Sequence, residues 1–252
     1  AMPIRIETGQ GPLVAPLPFS QAEYDLRLEK VRQAMRAHDL RAFVSFAPEN
    51  IFWLTGHDSP AYHYLQACVV TPDEAPVNLI RRIDATNTLL CSWSRRVLPY
   101  ADHDEPAEVL ADLIEELCGP SGRIGVETDS FFVSARRMDM LRRRLGTRLV
   151  PAQLVEPLRL VKSAEELAHI RSAARITQAA METAVAMAAE GVNENRIAGA
   201  VWNSLVSAGG EFPGLPPFIV SGPRTCLGHS TWAGHVLRKG AGNEHPLPFA
   251  AG

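Results

Sequence analysis

Predicted strands alternate with predicted helices up to residue 150, and this alternation constrains the fold more than any other feature of the sequence. It is clearest in the first helix, where Tyr24, Leu28, Val31 and Met35 recur at helical spacing behind a capping-box sequence that begins at Ser20. In order, the pattern predicts a helix over residues 20–37, a strand over 41–46, a short helix over 50–56, strands over 64–70 and 77–80, a helix over 107–117, a strand over 123–127, a helix over 134–145 and a strand over 148–150. This rhythm, with some strands joined by hairpins, indicates an α/β layered domain.

A second composition begins near residue 155. Another capping-box sequence, at residues 163–166, opens an unusually long helix that ends near Gly191. Its apolar residues near one face are Leu167, Ile170, Ala174, Met181 and Val185. A further helix over 195–207 and a strand over 218–221 follow, and we predict a domain boundary between residues 155 and 163.

The charge and cysteine content exclude several classes of partner. A net charge of −3 gives no basic excess for nucleic acid or a membrane surface, and no apolar run reaches the roughly 18 residues of a spanning helix. The first residues lack the pattern of a secretion signal, and the four cysteines are scattered without a repeating spacing. We therefore expect a cytoplasmic protein with no nucleic-acid or membrane partner.

Four sequence segments carry motifs that occur together in one enzyme family. They are Glu23-Tyr24 with Arg27-Leu28, Met35 and residues 50–56; residues 158–166 with Ile170, Arg171 and Ala174; Glu211 with Pro213, Pro217 and Phe218; and residues 221–224 with residues 229–232. Together they resemble the creatinase/prolidase superfamily of metallohydrolases, which includes Xaa-Pro aminopeptidases and methionine aminopeptidase. Phe19, Tyr24, Arg27 and residues 53–56 resemble most the ectoine hydrolases, and the dimethylsulfoniopropionate lyases built on the same fold.

The resemblance implies a fold and an assembly. It implies a creatinase-like, ribonuclease-H-like three-layer α/β domain over residues 20–158, behind an extended arm at 1–19. An incomplete pita-bread α+β catalytic domain would follow at 159–240, and residues 241–252 resemble nothing in the family. The family's usual pairing implies a homodimer.

The resemblance also implies two divalent ions (Mn, Zn, Co or Fe), held in relatives by two aspartates, a histidine and two glutamates. These ligands would all follow the position of His229, yet the last aspartate in the chain is Asp139 and the one carboxylate side chain after His229 is Glu244. We therefore predict no dinuclear centre and no metal cofactor in this chain. A mononuclear zinc site formed by His229, His235, Glu244 and His245 is the alternative, but the spacing matches no common site.

This shortage predicts a truncated, inactive family member. The implied ancestral activity is hydrolysis of a C–N bond in a small substrate or an Xaa-Pro peptide. A frameshift or early stop is the favoured origin, because the family pattern ends abruptly after Gly240. A genuine short variant and a split enzyme are the other two origins. A non-catalytic binding or dimerisation module of the same fold is the rival function.

Four residues are candidate site residues. His229 aligns with the family histidine that binds substrate and moves protons, a role that suits its near-neutral pKa, although it can also be a turn residue. Arg224 is a candidate ligand for a substrate carboxylate, or a surface arginine packed over Trp232. His57 and Tyr62 lie in a loop that in relatives reaches the partner subunit's pocket, but such clusters are usually no more than polar loops.

Overall fold

The structure, a computed structural model, describes residues 17–239, and the chain divides into two compact units with the boundary between Val161 and Lys162. The elements of the first unit are α1 (Gln21–Ala37), β1 (Leu40–Ser45), α2 (Pro48–Thr55), β2 (Ala67–Val70), β3 (Val77–Arg81), α3 (Ala85–Cys91), β4 (Val97–Tyr100), α4 (Pro106–Cys118), β5 (Arg123–Val126), α5 (Ala135–Leu145), β6 (Leu149–Pro151) and α6 (Val155–Arg159). Those of the second are α7 (Ala164–Met187), α8 (Glu194–Ser207) and a 3₁₀ turn at Gly222–Cys226. Of the helices within residues 17–239, none combines the length and apolar composition that crossing a membrane requires.

The first unit is built on one six-stranded mixed sheet with the order β4-β3-β2-β1-β5-β6. Strand β2 runs antiparallel to both of its neighbours, β1 and β3, and a short connection joins it to β3. Strands β4, β5 and β6 pair in parallel with β3, β1 and β5, so each is reached by a crossover through a helix.

Helices cover both faces of this sheet. Ala42 and Val44 of β1 belong to a buried cluster with Leu110 of α4 and Leu141 of α5. Phe43, between them in the strand, belongs to a second cluster that includes residues of α1, α2 and α6. Because successive side chains of a strand point to opposite faces, this alternation places helices on both sides, and the predicted three-layer α/β arrangement is confirmed.

Helix α1 begins as its sequence predicts. The Ser20 hydroxyl accepts a hydrogen bond from the Glu23 N–H, and the apolar stripe of the helix is buried. The Glu23 carboxylate accepts a hydrogen bond from Arg27 Nε at 3.0 Å. Helix α2 ends at Gly56 in the left-handed conformation, φ 77°, as the glycine there predicts.

The structure adds three elements that the sequence pattern does not predict, helix α3, strand β4 and helix α6. Pro99 lies within β4, where a proline argues against a central strand. Strand β4 is at the edge of the sheet, which explains why the proline is tolerated. The strand predicted at 218–221 is wrong for the residues described, since no strand is assigned between 208 and 239.

The second unit is built on the pair α7 and α8. The capping box at Ser163 and Glu166 is present in both directions. Ala180 and Ala184 are the buried positions of α7, and they form a cluster with residues of α8. The apolar stripe that the sequence predicts for α7 is not its buried face, since Ile170 is 49% and Val185 58% exposed. Residues 1–16 of the predicted arm and the predicted tail at 241–252 lie outside the described residues.

Candidate functional site

The residues that carry the ectoine-hydrolase resemblance meet around one buried cation. The Arg27 guanidinium carbon lies 3.9 Å from the ring centroid of Phe19 and 5.1 Å from that of Trp53, and the side chain is 1% exposed. Arg27 Nη1 also donates a hydrogen bond to the Trp53 carbonyl oxygen at 3.1 Å. Cation–π contacts and hydrogen bonds to Glu23 and Trp53 compensate the burial of this charge. This cluster joins the start of α1 to α2.

A second buried charge fixes the segment between β1 and α2. The Glu127 carboxylate, at the end of β5, accepts hydrogen bonds from Ser45 Oγ at 2.6 Å and from Asn50 Nδ2 at 2.8 Å. The backbone N–H groups of Phe46 and Ala47 donate to its other oxygen at 2.7 and 3.0 Å. A buried carboxylate needs this many donors. Glu127 therefore holds in place the start of the helix that leads to the loop of residues 57–64.

His57, the first candidate site residue, is buried at the start of that loop. It is 3% exposed, and its Nε2 donates to Gln66 Oε1 at 3.2 Å. Its Nδ1 lies 3.8 Å from the Cys91 sulfur. Burial lowers the pKa of His57, and the Gln66 hydrogen bond with the nearby carboxylates offsets this only in part. His57 is therefore a neutral histidine at pH 7.

Tyr62 lies in the same loop but faces solvent. Its ring is 43% exposed and contacts the Phe132 ring edge-to-face with centroids 6.0 Å apart. Phe131, which precedes Phe132 in the chain, is fully exposed. The loop thus presents an accessible aromatic surface at Tyr62, whereas His57 points into the protein.

Arg224 is held by a buried carboxylate in the second unit. Arg224 Nη1 lies 3.0 Å from Glu194 Oε2, and Glu194 is 0% exposed. Arg224 Nη2 donates to Ser230 Oγ at 3.1 Å and to the Thr231 carbonyl oxygen at 2.6 Å. A role in binding a substrate carboxylate stays a prediction. Within residues 17–239, Nε is the one group of this guanidinium without a hydrogen bond.

His229 lies in the turn that Arg224 holds. It is exposed, its φ of 53° is left-handed, and its ring contacts Phe218 edge-to-face with centroids 6.0 Å apart. A left-handed conformation is uncommon for a residue with a side chain and costs about 1–2 kcal/mol, so the surrounding contacts must hold it. The structure brings Arg224 and His229 into one turn, while His57 and Tyr62 belong to the first unit.

The residues described do not form a metal site. Within residues 17–239, no three His, Cys, Asp or Glu side chains converge closely enough to bind an ion. The backbone carbonyl oxygen of His235, a residue of the alternative mononuclear set, accepts a hydrogen bond from the Glu194 N–H at 2.9 Å. Glu244 and His245 lie outside the described residues. The predicted lack of a dinuclear centre therefore stays a prediction.

The two buried glutamates were not singled out by sequence analysis. From the sequence, Glu194, which follows Gly-Val-Asn, belongs to the break between two helices, and Glu127 is the last residue of a strand. Their partners lie 30 and 77 residues away in the sequence, so local pattern gives no sign of the contacts. An acidic residue directly after the apolar residues 124–126 of the strand is the one available signal for Glu127.

The chain matches two known protein families, one in each of its two units. Residues 27–161, more than half of the chain, match the Creatinase/Prolidase N-terminal domain. Residues 168–241 match Metallopeptidase family M24. The first match lies within the first unit and the second begins within α7.

Individual relatives agree with these matches. An uncharacterized hydrolase/peptidase of Sinorhizobium fredii is 31% identical over 79% of this chain and 54% of its own length. The ectoine hydrolase of Halomonas elongata is 28% identical over 90% of this chain and 62% of its own length. The prolidase structure from Thermococcus sibiricus superimposes with a TM-score of 0.73 at 16% identity, covering 88% of this chain and 60% of that one. The chain thus spans a little over half the length of these relatives, and the fold prediction is confirmed.

Proposed function

The chain belongs to the creatinase/prolidase family of hydrolases, and we propose that it forms the N-terminal domain and the first part of the catalytic domain of an enzyme that cleaves C–N bonds. The observation that carries this proposal is the order of the two family matches, with the M24 match beginning in the long helix of the second unit. Full-length M24 relatives use divalent metal ions.

The substrate class is a small molecule with an amide-type C–N bond, or an Xaa-Pro peptide. Two kinds of relative support it: the ectoine hydrolase, and the prolidase and dipeptidase structures that share the fold. A C–N bond of this type is cleaved by water, and a group near the scissile bond must take up and return a proton.

His229 is the residue to which we assign that proton transfer. It is exposed, and imidazole is the side chain that most often serves as a general acid or base in catalysis. Tyr62 is accessible for contact with a substrate. His57 is buried and would affect that contact only by positioning the loop that carries Tyr62. Arg224 can reach a substrate carboxylate only through Nε unless its Nη contacts break.

A 252-residue polypeptide of this sequence is inactive on its own in this proposal. Its residues after His229 supply one carboxylate side chain, and a bridged pair of divalent ions needs several oxygen donors. The missing ligands would come from a segment outside this sequence, either continuous with it or separately encoded. We place the protein in the cytoplasm on its scattered free thiols.

A non-catalytic binding or dimerisation module is the second candidate. The exposed apolar side chains of α7 favour it, since Ile170 and Val185 are 49% and 58% exposed. A homodimer is expected under both functions. Loss of the dimer in an Ile170→Glu/Val185→Glu variant, measured by analytical ultracentrifugation, would place its interface on α7.

The native gene downstream of the codon for Gly240 separates the two functions. If any frame there encodes aspartate, histidine and glutamate ligands, a chain extended with that segment should hydrolyse Xaa-Pro dipeptides or ectoine in the presence of Mn²⁺ or Zn²⁺. In that extended protein His229→Gln should lower kcat by about 10²–10⁴-fold. Absence of encoded ligands in every frame would leave the separately encoded segment as the one source of ligands, and an active extended protein that His229→Gln leaves unchanged would contradict the proposal.

A further inference from the structure

The turn that carries His229 is bound to a single residue at the start of α8. The Glu194 carboxylate accepts hydrogen bonds from Ser221 Oγ at 2.7 Å and from the Ala233 N–H at 2.9 Å. It also pairs with Arg224 at 3.0 Å. The Glu194 N–H donates to the His235 carbonyl oxygen at 2.9 Å. Ser221 and Arg224 precede His229 in the chain and Ala233 and His235 follow it, so Glu194 contacts the chain on both sides of His229.

Arg224 extends those contacts to the neighbours of His229 in the chain. Its Nη1 faces the Glu194 carboxylate, and its Nη2 donates to Ser230 Oγ and to the Thr231 carbonyl oxygen. The planar guanidinium can bind these groups together because its donors point in fixed directions. A continuous chain of charge-assisted hydrogen bonds thus runs from Glu194 to the residue that follows His229.

Glu194 is itself firmly placed. It is the first residue of α8, whose Ile197, Ala198 and Val201 are buried in a cluster with α7. Burial alone would raise the pKa of Glu194, but the hydrogen bonds from Ala233 and Ser221 and the charge of Arg224 outweigh it and lower that pKa. The carboxylate is therefore ionised near neutral pH, so the pairing with Arg224 persists there.

We propose that Glu194 is a positioning residue for His229, acting through Arg224 on the turn that carries the imidazole. The left-handed backbone at His229, φ 53°, needs such support, because an unrestrained histidine avoids this conformation. The exposed ring then stays against Phe218. Arg224 contributes by ordering this turn, and substrate contact is not required of it.

This inference rests on the proposed function only in taking His229 as the proton-transferring group. Its test therefore reads the position of the ring rather than activity. In the full 252-residue chain with labelled histidine and phenylalanine, the nuclear Overhauser effect between the His229 and Phe218 rings reports the contact. Glu194→Gln keeps the shape of the side chain but removes its charge, and we expect the ring contact to be lost in a chain whose cooperative thermal unfolding shows that it is still folded.

Two further variants make the test specific. Ser221→Ala removes one hydrogen bond from the same carboxylate and leaves the Arg224 pair, so the ring contact should remain. Arg224→Lys keeps the positive charge but cannot bind Glu194, Ser230 and Thr231 together, so the contact should be lost. Should Glu194→Gln fail to fold, Arg224→Lys decides the matter. Retention of the ring contact in a folded Glu194→Gln or Arg224→Lys chain overturns the proposal, whether or not His229 takes part in hydrolysis.

Discussion

Glu127 and Asn50 lie 77 residues apart in the sequence, and Asn50 Nδ2 donates a hydrogen bond to Glu127 Oε1 at 2.8 Å. Arg159, in α6, donates in turn to Asn50 Oδ1 at 2.6 Å. This polar chain joins the end of β5 to α2 and to the last helix of the first unit. Folding of the unit therefore depends on one buried acidic side chain as well as on the two apolar clusters.

Replacement of Glu127 by glutamine should destabilise the protein strongly. Glutamine puts an NH2 donor in place of one carboxylate oxygen, so donors that bonded that oxygen would face another donor. We expect the free energy of unfolding to fall by about 2–4 kcal/mol. Urea unfolding followed by tryptophan fluorescence measures it. The matched control is Glu29→Gln, because Glu29 and its partner Arg36 are both exposed and the substitution should cost much less than Glu127→Gln. Equal effects of the two substitutions would contradict the assigned role.

Gly56→Ala should be more damaging than Gly209→Ala. Both glycines follow a helix with a positive φ, 77° and 87°, and the Gly209 and Gly210 N–H groups form the Schellman hydrogen bonds that a left-handed residue closes, so each substitution carries about 1–2 kcal/mol of backbone strain. A Cβ at Gly56 would also lie 2.6 Å from the Tyr24 hydroxyl oxygen and 3.2 Å from the Cys91 carbonyl oxygen, whereas nothing lies within 4 Å at Gly209. The extra cost of overpacking is about 1–3 kcal/mol. Urea midpoints that coincide for the two variants would show that the space at Gly56 is not limiting.

The stability of the protein should depend on pH through His57. Because burial lowers its pKa, the unfolded chain binds a proton at His57 more readily than the folded chain does. Stability from this residue is thus fully present above the ordinary histidine pKa of about 6.5 and is lost as the pH falls below it. His57→Gln should flatten the fall in unfolding free energy between about pH 7 and 5. His63→Gln, at an exposed histidine of the same loop, should leave the slope unchanged.

Three of the four thiols should react with a disulfide reagent in a fixed order. Cys226 is exposed and should react first. Cys91 is half-buried, and burial raises its pKa, so it should follow at least about ten times more slowly. Full burial raises the pKa of Cys68 far more, and this thiol should react only on unfolding. Peptide mass spectrometry over time measures the order, and early labelling of Cys68 would contradict the packing of β2.

Sequence alone predicts much of this fold because many of its determinants are local. The stripe of α1, the caps at Ser20 and Ser163 and the glycine stop at Gly56 each act within a few residues, and the structure contains all of them. Strand β4 was missed because its proline is tolerated only at a sheet edge, and edge position depends on the order of all six strands.

The candidate site was less accessible to sequence reasoning. The motif around Arg224 and His229 is visible in the sequence, but the buried carboxylate that binds Arg224 is not. Glu194 looks like an ordinary first-turn acid of a helix, and only the fold brings residues 221–235 onto it. Contacts between segments far apart in sequence carry no local periodicity, so they must be read from the structure.

We propose that these 252 residues include the catalytic histidine of a family hydrolase, His229, and lack the ligands of the two metal ions. Metal content of the purified chain, determined by mass spectrometry after saturation with Mn²⁺ or Zn²⁺ and removal of unbound ions, tests it most directly. We predict well below one retained ion per chain and no hydrolysis of Xaa-Pro dipeptides or ectoine in the same sample. Two retained ions per chain together with turnover would contradict the account.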